Sequence, residues 1–235
     1  MSGRESKWVL LLIGLTALST AVSLFLIFVY APTERIMGVV QRIFYFHVAS
    51  AWVGFISFLV AFVSGSAYLS RRRLLWDMVG TASVEIGLLF SAIALVTGSL
   101  WARPVWNTWW TWDPRLTTTL VMFLYYSASL MLRGLTEDEA RRARFGAVLS
   151  IVGFVNVPVV FLAIRLWRTI HPVLFTTEGF ALDSRMLLAL GTSLVTFSLL
   201  YACLLVLRIR VEKLSHEVSL LRKSAALRRS RARGV

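Results

Sequence analysis

The chain has 235 residues, is 57% hydrophobic with a mean hydropathy of +0.73, and carries only 16% charged residues. With several long apolar runs, that composition excludes a water-soluble globular core and points to a polytopic membrane protein. A formal charge of +13 would suggest nucleic acid in a soluble chain, but the placement of Lys and Arg around membrane spans explains it more simply. The single cysteine, Cys203, rules out a disulfide framework and CxxC redox chemistry.

Six apolar segments are each near the ~20 residues a spanning helix needs, at about 8–30, 44–69, 79–100, 116–132, 145–166 and 185–207. Arg4 and Lys7 precede the first, which is too long for a signal-peptide core and lacks a clear small-residue cleavage site, so it reads as a retained anchor. The expected fold is an all-α integral membrane bundle of six transmembrane helices over residues 1–207, with a basic helical extension over 208–235. With the N-terminus inside, the inner segments and tail hold 18 of the 25 basic residues and the outer loops hold 7. Both termini are therefore expected on the cytoplasmic side.

Parity then places the segments near 31–47, 101–115 and 165–184 on the outer face. Five of the nine tryptophans crowd into twelve residues there, Trp101, Trp106, Trp109, Trp110 and Trp112, within WARPVWNTWWTWDPRLTTT. One reading is an aromatic belt at the lipid headgroups. The other is a flat apolar surface covering a flat ligand, because a belt spreads its aromatics over many helix ends.

His47, about one turn into the second segment, and His171, just beyond the fifth, bracket this stretch on the same face. Either histidine alone reads equally as an interface residue. Two neutral imidazoles around an aromatic shelf suit haem as axial ligands, whereas two histidines without a nearby carboxylate or thiolate make a poor zinc site. Arg103, Arg115, Arg165 and Arg168 lie in the same outer loops and are candidate partners for haem propionates, or else reach lipid phosphate. Pro172 biases His171 toward an extended backbone. His216 is in the tail and cannot meet the other two.

Asp113 and Pro114 read as the N-cap and first residue of the fourth helix. Asn156 and Pro158 lie inside the fifth segment, where the proline should kink the helix and open a cavity. Glu85 is the exception in an otherwise uncharged set of spans and should face the bundle, with a functional or a structural partner. In the tail, Val211, Leu214, Val218, Leu221 and Ala225 follow a 3-4-3-4 spacing, so the sixth helix should continue with one apolar stripe. Its basic residues favour anionic headgroups, with partner docking as the alternative. TEDEARRAR reads as a solvated helix started by Thr or Asp.

WNTWWTWDPRLT resembles the WGxWWxWD signature of the haem-handling membrane proteins of cytochrome c maturation. Together with QRIFYFHVASAW and VNVPVVFLAIRLWRTIHP, it is similar to the CcmC family, over about residues 35 to 207. The resemblance implies b-type, non-covalent haem at the periplasmic face of the inner membrane, with His47 and His171 as axial ligands. With the readings above, Trp101, Trp106, Trp109, Trp110, Trp112, Asp113, Arg103, Arg115 and Arg168 are the haem-binding candidates. It also implies a CcmE-like haem chaperone as acceptor and an ABC-type complex of CcmA-, CcmB- and CcmD-like subunits. The chain departs from the pattern at Asn107, which replaces a glycine where loop tightness is at stake, at Ala49 for a proline, and at Leu166 for a tryptophan.

No Walker motif is present, so ATP hydrolysis would belong to a partner, and bond formation would occur on the acceptor. Three other readings stand beside this one. A cytochrome c synthetase would carry WDPKE and more spans or a large extra domain. A b-type electron-transfer cytochrome would place histidine pairs deep in facing helices. A subunit without cofactor would leave the tryptophans as a belt.

Overall fold

The computed structural model describes residues 3–167, 175–176, 179–180 and 182–232. Seven α-helices build it: α1 Gly3–Phe25, α2 Ile43–Arg71, α3 Leu74–Trp106, α4 Pro114–Gly134, α5 Glu139–Phe154, α6 Asn156–Leu166 and α7 Ser184–Ala232. A π-helical turn, Leu26–Tyr30, extends α1, and a 3-10 turn, Val39–Arg42, leads into α2. Phe175–Thr176 and Gly179–Phe180 make a two-residue antiparallel ladder before α7. The molecule is an all-α membrane bundle.

Five stretches among the described residues are long and apolar enough to cross a bilayer: Lys7–Tyr30, Val39–Arg71, Leu74–Trp106, Glu139–Ala163 and Ser184–Ala226. The expected fourth span, α4, is not among them, because Thr117, Thr118, Thr119, Tyr125, Tyr126, Ser127 and Ser129 lower its hydropathy. At 21 residues it is still ~31 Å long, about the thickness of the hydrocarbon core. Several of its polar atoms find partners in protein: Tyr125 Oη donates to the Leu149 carbonyl at 2.9 Å, and the Thr118 and Thr119 hydroxyls donate to carbonyls one turn back. The expected fifth span is two helices. Pro158 has no N–H to give to Phe154 and its ring crowds that carbonyl, so the ladder of α5 ends at Phe154 and α6 restarts at Asn156.

Small residues hold the helices close, as expected where lipid offers no hydrophobic drive for association. A Cβ on Gly65 of α2 would sit 2.8 Å from the Ala147 carbonyl of α5, so only glycine permits that approach. Phe58 and Tyr126 stack at 3.9 Å in the main core, joining α2 to α4. Between α1 and α7, Ser19 shares a hydrogen bond with Thr196 (2.6 Å) and Ser23 with Ser193 (3.2 Å).

One end of the bundle is tied by charge. Arg133 of α4 donates two hydrogen bonds to Asp77 of α3, at 2.7 and 2.6 Å, and a third to the Arg142 carbonyl. Asp77 is 7% exposed, so Glu85 is not the lone acid within the spans. The span was expected to start at 79, whereas α3 begins at Leu74 and encloses Asp77 in its first turn. Glu85 has a structural partner: Arg208 of α7 donates to both its oxygens, at 2.6 and 2.9 Å, and to Glu212 at 2.8 Å. As the apolar stripe predicted, α7 runs unbroken into the tail as far as Ala232. Asp138 caps α5 by accepting from the Arg141 N–H.

Candidate haem site

The opposite end gathers the start of α2, the end of α3 and the start of α4. The tryptophan stretch is not one loop. Trp101 and Trp106 sit on the last two turns of α3, and only residues 107–113 connect it to α4. Asn107 ends α3 in the left-handed conformation, φ 53° and ψ 26°. Glycine is the default there and asparagine is among the few side chains that tolerate it, so the replacement leaves the sharp exit intact. Arg103 reinforces the exit by donating to both the backbone and side-chain oxygens of Asn107, each at 2.8 Å, and lies 5.9 Å from the Trp109 ring centroid.

The indoles form two edge-to-face pairs, Trp101–Trp106 at 4.9 Å and Trp110–Trp112 at 5.9 Å. Trp101 is buried, whereas Trp109 and Trp112 are 56% and 76% exposed. Asp113 caps α4 as expected, accepting from the Arg115 N–H at 2.9 Å, with Pro114 as first helical residue. Thr108 Oγ1 donates to the Trp110 carbonyl, which pins the connecting turn.

His47 stands at the centre of this end. Its Nδ1 is 3.0 Å from the Ala94 carbonyl and 3.3 Å from Thr97 Oγ1, on α3. A carbonyl oxygen only accepts, so in the neutral ring Nδ1 carries the proton and Nε2 keeps its lone pair. Gly98 makes room for the ring: a Cβ there would lie 3.0 Å from His47 Cε1. Neither contact was legible in the sequence, because both depend on the register of α2 against α3.

Two cavities meet at His47 and Gly98. One, about 370 Å³ and partly open, is walled by Trp101, Trp106, Trp109 and Trp110. The other, about 530 Å³, is lined by Phe55, Leu95, Arg115, Met122 and Val160. Asn156 donates to the Thr118 carbonyl at 2.9 Å, which seats the start of α6 against α4. Trp101 Nε1 and Thr111 Oγ1 are buried without a hydrogen-bond partner among the described residues.

The structure thus brings His47, Trp101, Trp106, Trp109 and Trp110 together around one pocket and Arg115 around its neighbour. Trp112 and Arg103 lie on the rim, and Asp113 shapes the backbone. His171 and Arg168 fall outside the described residues. The residues present suit haem: an imidazole nitrogen with a free lone pair, apolar walls, indole rings and a guanidinium for an anionic edge. Among the described residues no cluster of three or more His, Cys, Asp or Glu could hold a bare metal ion.

Fold and site together define a multi-pass helical membrane protein with a histidine- and tryptophan-lined pocket at one end of its bundle. A family model described as Heme exporter protein C matches residues 2–224, and the chain belongs to that family. The match runs beyond the expected 35–207 at both ends and takes in part of the tail. Heme exporter protein C of Bradyrhizobium diazoefficiens is 34% identical over 200 residues, covering 84% of this chain and 76% of the relative. The Escherichia coli K12 protein of the same name is 34% identical, with 78% and 74% covered. A putative cytochrome c biosynthesis ccmC-like mitochondrial protein of Marchantia polymorpha is 28% identical, with 87% of each chain covered. These relatives support a role in haem handling for cytochrome c maturation.

Proposed function

We propose that this chain holds haem non-covalently in the pocket at the tryptophan-rich end and passes it to a periplasmic acceptor. The observation that carries this reading is the His47 hydrogen bond to the Ala94 carbonyl, which fixes the tautomer and leaves Nε2 able to bind iron. His171 is the second axial ligand. Trp101, Trp106, Trp109 and Trp110 pack against the porphyrin, and Trp112 meets the acceptor at the rim. Arg115, in the wall of the adjoining cavity, pairs with a propionate, with Arg103 and Arg168 as further candidates.

The Lys and Arg bias supports an inner-membrane protein with both termini in the cytoplasm and the haem end on the periplasmic side. Residues 1–207 are then the haem-handling unit and 208–235 its tail. The resemblance supports a CcmE-like chaperone as acceptor and CcmA-, CcmB- and CcmD-like subunits as partners. The chain itself orients the cargo; bond formation belongs to the acceptor and ATP hydrolysis to a partner.

Absorption spectra of the purified protein after haem loading test this. A low-spin Soret band is expected, reduced on the order of 10- to 100-fold in affinity in His47→Ala and in His171→Ala. Unchanged spectra in both variants would refute the ligand assignment.

A further inference from the structure

The geometry points to the tail of α7 as a dimerisation element that joins two copies of this chain through a short parallel coiled coil. Leu207, Val211, Leu214, Val218, Leu221 and Ala225 fall at alternating d and a positions of one heptad frame. Val211, Leu214, Val218 and Leu221 are all exposed on an unbroken helix, Leu221 by 68%. Valine at a with leucine at d is the combination that favours two parallel strands. Parallel is also the only direction open to two copies in one membrane, since α7 leaves each bundle on the same side.

Charge fits the same partner. Glu217 occupies g and Arg222 the following e position, the spacing that places one copy's Glu217 against the other's Arg222, twice by symmetry. Both side chains are exposed. The opposite side of the tail faces its own bundle. His216, at f and about 170° from the seam at 3.6 residues per turn, sits 3.3 Å from Glu139 of α5. That contact leaves the a/d face pointing away.

A headgroup layer fits less well. Beyond Leu207 the helix continues for 25 residues to Ala232, roughly 37 Å at 1.5 Å per residue, so only its base lies near the bilayer. The seam is short, and Arg228 at the next d position ends it. Confinement of both copies in one membrane raises their effective concentration and offsets that shortness.

Disulfide trapping of the full chain in membranes, in a Cys203→Ser background, is the test. Leu214→Cys should cross-link at least about fivefold more than His216→Cys, because d positions meet across the seam and f positions do not. Glu217→Arg should lower the Leu214→Cys dimer, and adding Arg222→Glu should restore it. Equal trapping at 214 and 216 would mean random collision and would overturn the proposal. So would no trapping at 214 with a monomeric mass, whether the tail then binds vesicles of anionic lipid or a different subunit.

Discussion

The two ends of the bundle put their buried polar groups to different uses. At the tail end, Arg133 is matched by Asp77 and the Arg142 carbonyl, and Arg208 by Glu85 and Glu212. At the tryptophan end, Trp101 Nε1 and Thr111 Oγ1 have no partner among the described residues, and the His47 Nε2 keeps its lone pair. Arg142 Nε at the tail end also lacks a partner among the described residues, so the ends differ in kind: ion pairs clasp one, and at the other a histidine lone pair borders a tryptophan-lined cavity.

The largest expected effect lies at the paired end. Asp77→Ala strands the Arg133 guanidinium in a buried position and should cost about 3–5 kcal/mol, read as a lower unfolding midpoint in detergent. Joint replacement, Asp77→Leu with Arg133→Met, should recover most of it, and haem affinity of the folded protein should stay unchanged in both. A loss of haem affinity there would erase the contrast between the ends.

Gly98→Ala should act the other way round. Its methyl carbon would stand 3.0 Å from His47 Cε1 and push the ring off the Ala94 carbonyl. Haem affinity should fall about tenfold, or ~1.4 kcal/mol, with little change in the unfolding midpoint. A titration indistinguishable from wild type would show that the imidazole has room to spare.

The smallest effect belongs to the hinge of the site. Asp113→Ala removes the cap of α4 and should cost about 1 kcal/mol of stability. Asp113→Asn, which keeps an accepting oxygen, should be close to neutral. If both variants lose haem equally with no change in melting, Asp113 acts on the cargo and not through the helix.

Much of this contrast is legible in the amino-acid sequence. Spans and the Asp113–Pro114 helix start follow from composition and local hydrogen-bonding chemistry. The tail's continuation follows from a period of 3.5 to 3.6 residues. The tryptophan cluster pointed to the end where the structure gathers His47 and four of the indoles, because five indoles in twelve residues exceed what a belt requires. What escaped was register. Whether His47 meets Ala94 and Gly98, or Asp77 meets Arg133, depends on how helices slide past one another, and no local pattern encodes that. Asp77 was also missed because hydropathy located the span's apolar middle, whereas α3 starts five residues earlier. Asn107 was a question from sequence because glycine and asparagine differ in most places; at a left-handed helix exit they are near equivalents.

Haem titration of His47→Ala with and without added imidazole bears most directly on the tryptophan end as the receiving site. A free imidazole can occupy the space the side chain vacates and supply the missing nitrogen. The low-spin Soret band should weaken in the variant and recover with millimolar-range imidazole, on the order of a free ligand competing without tethering. A full low-spin band in His47→Ala without imidazole would contradict the account.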